Sequence, residues 1–137
     1  GVYPTRATAQ AALDANDLFV LEDAGEILGA ARINKAQVDS YAEGAWEFSA
    51  RDEEVCVLHT LVVSPSASGK GYGKKLVKFY EDYALSHGCP ELRMDTNARN
   101  AAARGLYKKL GYKEIGIVPT EFNGIPDVQL VLLEKHL

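Results

Sequence analysis

From residue 54 to residue 63 the chain reads EVCVLHTLVV, and both alternating sets of positions are apolar. Val55, Val57, Leu61 and Val63 fall on one face, and Cys56, Leu58 and Val62 on the other. A strand apolar on both faces belongs in the middle of a sheet, with elements packed above and below. Pro65 ends it. Upstream, DLFVLED (17–23) predicts a strand, residues 23–26 a turn, and ILGAARIN (27–34) its hairpin partner. Residues 7–15 are Ala-rich and follow Pro4 and Thr5, which predicts a short helix. Residues 37–49 show no firm period, but Tyr41, Trp46 and Phe48 mark them as cover for something apolar.

Downstream, residues 73–87 predict an amphipathic helix. Leu76, Val77, Tyr80, Tyr83 and Ala84 follow helical spacing, while Lys75, Lys78, Glu81 and Asp82 take the wet face. Gly88 and Pro90 stop it. ELRMDT (91–96) predicts a strand. Asn100 is placed to cap a helix reaching Leu110, with Ala103, Leu106, Tyr107 and Leu110 inward and Gly111 as its C-terminal cap. Residues 112–118 and 128–135 predict two last strands, joined by a loop holding Phe122, Asn123, Gly124 and Pro126. The order helix, strand, strand, strand, helix, strand, helix, strand, strand gives a mixed sheet with helices on its faces.

The 137 residues suffice for one domain, residues 1–137, with a sizeable core. A net charge of −4 supplies no positive field to attract nucleic acid or an anionic membrane. Basic residues nevertheless cluster, first as Lys70, Lys74, Lys75 and Lys78, then as Arg99, Arg104, Lys108 and Lys109. Such clusters suit one small polyanion. The two cysteines, Cys56 and Cys89, make neither a disulfide framework nor a metal site, and Cys56 in its strand reads as a small buried hydrophobe. Without a signal peptide or a run of ~18 apolar residues, the expected location is cytoplasmic.

The chemistry concentrates in SGKGYGKKL, residues 68–76, where Gly69, Gly71 and Gly73 alternate with larger residues. A glycine turn between strand and helix aims backbone N–H groups at one point, and the helix N-terminus adds about half a positive charge there. That is a pyrophosphate cradle, with Lys70, Lys74 and Lys75 for further phosphates. A Walker A loop fails at two positions, since Ser68 stands at its first glycine and Lys75 follows Gly73-Lys74. A dinucleotide fingerprint fails because the spacing is G-x-G-x-G.

The stretch resembles the Q/R-x-x-G-x-G/A loop of the GNAT family of N-acetyltransferases, with Gly71 and Gly73 on its two small positions. LHTLVVSP before it looks like that family's central strand. NAAARGLYKKLGY, residues 100–112, looks like its second motif, N-x-x-A-x-x-L-Y-x-x-x-G-F/Y. The element order agrees from about residue 17 onward. The implied fold is α/β, an α+β mixed sheet flanked by helices of the acyl-CoA N-acyltransferase type, with the family's first strand either lost or cut away. The implied co-substrate is acetyl-CoA, with no metal. Backbone groups of Leu61, Val62 and Val63 would bind pantetheine. Ser68, Gly69, Lys70, Gly71, Tyr72, Gly73 and Lys74 would hold the pyrophosphate, and Asn100 and Tyr107 would reach the cofactor from the second motif. Ser68 departs from the usual Arg or Gln, and Lys70 is expected to compensate.

Thioester aminolysis needs an amine stripped of its proton, a stabilised carbonyl oxygen, a protonated thiolate and alignment. Tyr107 matches the family's general acid; its plain alternative is an aromatic packed on the sheet. His59 is the candidate base, weighed against an ordinary core histidine, with Glu54 and Glu53 as alternatives; Val57 stands where many members carry a glutamate. Asn100 reads as a helix cap, a cofactor contact, or both. Trp46, Tyr41, Phe48 and Phe122 either line an acceptor pocket or cover the core. The resemblance implies transfer to a small-molecule or peptide amine, with no nucleic acid or membrane partner and a homodimer left open. A non-catalytic acyl-CoA sensor of the same fold, or a nucleotide-binding protein of another class, are the alternatives.

Overall fold

The structure, a computed structural model, describes residues 17–37, 39–65, 69, 71–122 and 125–137. The expected helix at 7–15, and Ser68, Lys70, Asn123 and Gly124, lie outside the described residues. Six strands, β1 (Leu18–Asp23), β2 (Glu26–Asn34), β3 (Val55–Val63), β4 (Glu91–Asn97), β5 (Lys113–Phe122) and β6 (Ile125–His136), form a mixed sheet in the order β1-β2-β3-β4-β6-β5. Helix α1 (Tyr72–Ser86) follows β3, and α2 (Ala101–Lys109) follows β4. Among the described residues no helix is long and apolar enough to cross a membrane.

The chain divides into two units. The first contains the residues up to Asn34 and Leu58–Gly88; the second contains Lys35–Val57 and Cys89–Leu137. In the first, β1 and β2 pair antiparallel around a two-residue turn, Ala24 and Gly25, both at positive φ. Helix α1 buries Leu76, Val77, Tyr80 and Ala84 of the stripe its spacing predicts, while Tyr83 is half-buried. Phe19 of β1 packs its ring 5.2 Å from Phe79 and 5.1 Å from Tyr83. Gly29 of β2 is required by close approach: a Cβ there would lie 2.9 Å from both the Val62 carbonyl oxygen and Leu76 Cδ1.

In the second unit β6 pairs antiparallel with β4 on one side and β5 on the other. Tyr41, Val55, Val57, Val118 and Leu132 form a buried cluster, with Trp46 packed against it. Residues 37–49 therefore do cover apolar surface, partly through a short 3₁₀ turn at Asp39–Glu43. A buried polar group ties this segment down. Glu134 accepts the backbone N–H of Glu47 at 2.8 Å, and Arg93 donates to the Phe48 carbonyl at 2.9 Å.

Three expectations need correcting. Strand β3 is covered on both faces only from Val55 to Leu58; Leu61 and Val63 are half-buried and Val62 is 53% exposed. The last two strands are longer than expected, running to Phe122 and restarting at Ile125. Pro119 breaks the pattern without breaking the strand, because β5 lies at the sheet edge where a missing N–H is tolerated. Helix α2 fully buries Tyr107 alone; Ala103, Leu106 and Leu110 are half-covered.

Candidate active site

In the first unit, Gly69 and Gly71 both adopt positive φ, 81° and 79°. Gly71 flanks the start of α1 in the left-handed conformation, and its carbonyl accepts the Lys75 N–H at 3.1 Å. An L side chain at that φ costs about 1–2 kcal/mol, which is why a glycine stands there. The first turn of α1 has no side-chain cap from Gly71 and no acidic residue of its own, which leaves its positive end without an internal counter-charge. Lys74 and Lys75 are exposed beside them, Lys75 with its ammonium 5.4 Å from the Tyr72 ring centre. Anion binding is the chemistry such a terminus offers.

His59, half-buried on β3, has Nε2 2.5 Å from Asn34 Oδ1. Asn34 in turn donates through Nδ2 to Asp17 Oδ2 at 2.8 Å, and Asp17 also accepts Arg32 Nε at 3.0 Å. These two bonds, Asn34 first, hold the Asp17 carboxyl below its ordinary value. With Asn34 Oδ1 as acceptor, His59 Nε2 carries the proton. The same bond persists in the imidazolium, so the ring can take a proton without breaking its tether. Asn34 and Asp17 carry no sequence signal. Only the β1–β2 register, with Leu18 opposite Arg32, brings Asp17 to them.

The second unit holds the other candidates. Tyr107 is 6% exposed, with its ring 6.1 Å from that of Tyr112. Burial, and then the Asp95 carboxylate, push its phenol up to about 12 rather than the ordinary ~10 expected from sequence. Asp95 accepts the Tyr41 hydroxyl at 2.7 Å, and Tyr41 is itself buried. Asn100 caps α2, its Oδ1 accepting the Ala103 N–H at 3.0 Å. Glu54 fits the role of base poorly. Arg51 binds it through backbone and side chain and holds its carboxyl below the ordinary range. Glu53 likewise lies 3.2 Å from Arg51.

Two basic residues of the sequence cluster are committed elsewhere. Arg104 pairs with Glu114 at 2.8 Å and donates to the Ala98 carbonyl, and Lys78 pairs with Asp82. Of the aromatic pocket candidates, Tyr41 and Trp46 line a cleft with Gln37, Asp39, Ala42, Asp52 and Arg93. Phe48 instead stacks on His136 at 4.4 Å, and the side chain of Phe122 lies outside the described residues.

Comparison with known proteins bears on the family. The model of the Acetyltransferase (GNAT) family matches residues 2–112. An aminoglycoside N(6')-acetyltransferase type 1 from Klebsiella aerogenes is 32% identical over 101 residues, 74% of this chain and 61% of that protein. A thialysine N-epsilon-acetyltransferase from Bos taurus is 36% identical over 58 residues, 42% of this chain and 34% of that one. The chain thus spans less than two thirds of the length of these relatives. A GNAT family acetyltransferase from Elizabethkingia anophelis, solved with acetyl-CoA bound, superposes with a TM-score of 0.65 at 20% identity, covering 88% of this chain and 75% of that one. The chain belongs to the GNAT acetyltransferase family.

Proposed function

We propose that residues 1–137 act as an N-acetyltransferase domain that moves an acetyl group from acetyl-CoA to a primary amine by direct attack in a ternary complex. The observation that carries this reading is the opening of α1, where left-handed Gly71 precedes a first turn with no acid and no side-chain cap. Those amides would hold the pyrophosphate, with Lys74 adding charge. The exposed stretch around Val62 offers backbone to pantetheine, and an N–H there would polarise the acetyl carbonyl.

His59 would take the proton of the ammonium, directly or through water, freeing the nitrogen lone pair to form the C–N bond. The tetrahedral adduct still carries a surplus N–H proton; it collapses with cleavage of C–S as that proton leaves nitrogen for the departing sulfur, giving the amide and the free thiol, while His59 releases the first proton to solvent. Tyr107 would meet the departing sulfur. With its phenol pushed up to about 12, full proton transfer to a thiolate of ordinary pKa ~8.5 is uphill. The phenol would therefore act by donating a hydrogen bond to sulfur as charge develops there, and it stays protonated throughout the physiological range. The two named relatives are acetyltransferases of an aminoglycoside and of thialysine, both amines, which supports an amine acceptor here. Two buried cysteines outside any disulfide, Cys56 and Cys89, fit a reducing, cytoplasmic setting.

The test is thiol release from acetyl-CoA across a panel of amines, followed colorimetrically. Amine-dependent release is expected. Heat of acetyl-CoA binding without release for any amine would instead make the chain an acyl-CoA sensor, and neither heat nor release would end the reading.

A further inference from the structure

We infer that Asp17 is a positioning residue for His59: acting through the Asn34 amide, it commits the ring proton to Nε2. This rests on the transfer reaction proposed above, where His59 takes the ammonium proton. Asp17, Arg32, Asn34 and His59 all belong to the first unit.

Strand register brings these groups together. Leu18 stands opposite Arg32, and the Ile33 N–H donates to the Asp17 carbonyl at 2.8 Å, which holds Asp17 beside the end of β2. Strand β3 lies on the other side of β2, where the Ser64 N–H donates to the Leu28 carbonyl at 2.8 Å. Asn34, the last residue of β2, bridges the two sides. Its Nδ2 lies 2.8 Å from Asp17 Oδ2, and its Oδ1 lies 2.5 Å from His59 Nε2. Arg32 Nε donates to the same Asp17 oxygen at 3.0 Å.

The charge on Asp17 gives this series of bonds its direction. Asp17 is only 9% exposed, yet the bonds from Asn34 and Arg32 favour its ionised form. A carboxylate accepts hydrogen bonds and donates none. Asn34 must therefore turn its NH2 group to Asp17, and the same turn presents Oδ1 to His59. Turned over, the amide would set oxygen against oxygen at Asp17. Oδ1 also accepts only, so Nε2 must donate. A neutral imidazole has one N–H, and the bond at Nε2 thus settles the tautomer of the whole ring. The position of the proton that prepares the base is set two bonds away, by a side chain that does not touch the ring.

Asp17→Asn is the test, because it keeps the shape and removes the sign. An amide at position 17 donates as well as accepts, so Asn34 can turn over and offer NH2 to an unprotonated Nε2. Nitrogen-15 spectra of the His59 ring, assigned by their loss in His59→Gln, read the tautomer at about pH 9, where an imidazole of ordinary pKa ~6.5 is neutral. In the unmodified chain Nε2 should read as protonated, and an unprotonated Nε2 there overturns the inference before any variant is made. In Asp17→Asn a measurable share of molecules should lose the Nε2 proton; Nε2 as fully protonated as before also overturns it. With an acceptor amine, kcat should fall about tenfold in Asp17→Asn while the KM for acetyl-CoA is kept. An unchanged kcat, or a loss carried by that KM instead, makes Asp17 a structural residue only and overturns its positioning role. If the unmodified chain acetylates no amine, the transfer reaction itself fails, and the ring spectra still decide whether Asp17 places the proton.

Discussion

Glu91 tests how the second unit carries its buried charge. The carboxyl is fully buried, with Arg93 Nε at 3.0 Å, His136 Nδ1 at 3.3 Å and the almost equally buried Glu134 as its other neighbour. Two buried carboxyls thus lie side by side, with the Arg93 guanidinium bonded to Glu91. Burial, and then the hydrogen bond with Glu134, push Glu91 up to about 8 from 4.5. In that window the folded chain keeps a proton that the unfolded chain has released. The stabilising contribution is complete below about pH 4.5 and is lost as pH rises towards 8. At ~1.4 kcal/mol per pH unit, the ceiling is on the order of 5 kcal/mol. For a chain of this size that is roughly 15 °C in melting temperature. Glu91→Gln keeps the shape of the protonated acid and removes the titration. The sole tryptophan, Trp46, stacks on Arg93 and reports unfolding of this unit by its fluorescence. Melting between pH 5 and 9 should fall with pH in the natural chain and stay nearly flat in the variant. The curves should cross, with the variant the more stable at pH 9. Parallel curves would refute the assignment of the proton to Glu91.

Other outcomes follow from the first unit and from α2. Gly71→Ala meets no atom within 4 Å but must hold φ at 79°, so we expect a loss of about 1 kcal/mol in stability and at least a tenfold weaker calorimetric Kd for CoA; an unchanged Kd would detach the turn from phosphate binding. Tyr107→Phe should keep CoA affinity and lower kcat about a hundredfold, and with the phenol near 12 no alkaline limb below about pH 11 should belong to Tyr107. Asn34→Ala removes the tether of His59 and should lower kcat about tenfold with the KM for acetyl-CoA kept, whereas an equal loss in KM would mark Asn34 as structural.

What the sequence displayed was local. Alternation located β1, β2 and β3, helical spacing located α1, and Asn100 and Gly111 bounded α2, because each signal is written within a few residues. The glycine turn was legible for the same reason, since positive φ at Gly71 is a demand of one residue on its own backbone. The partners of His59 were not legible. Asn34 lies 25 residues away, and Asp17 a further 17 before it, joined by sheet register alone. Tyr41 and Asp95 stand 54 apart, and Glu134 and Glu47 87 apart. The pKa of Tyr107 was out of reach too, because burial belongs to the packed chain and not to the spacing of its residues.

The exposure of Val62 shows what hydropathy can and cannot say. An apolar side chain records a preference for leaving water, not the identity of what covers it. Along Val55–Leu58 the cover is this chain's own packing. At Val62 the same preference is left unsatisfied at 53% exposure, on a strand whose carbonyl at that residue lies against Gly29. Of the two signals, the pattern predicts a buried strand and the structure an open one. A ligand with an apolar, amide-bearing arm, bound as in the transfer proposed above, would reconcile them. Pantetheine is such an arm. Burial of Val62 on adding CoA, read as slowed hydrogen exchange from residue 61 to residue 63, is therefore expected, and unchanged exchange there would leave the open end of β3 without its explanation.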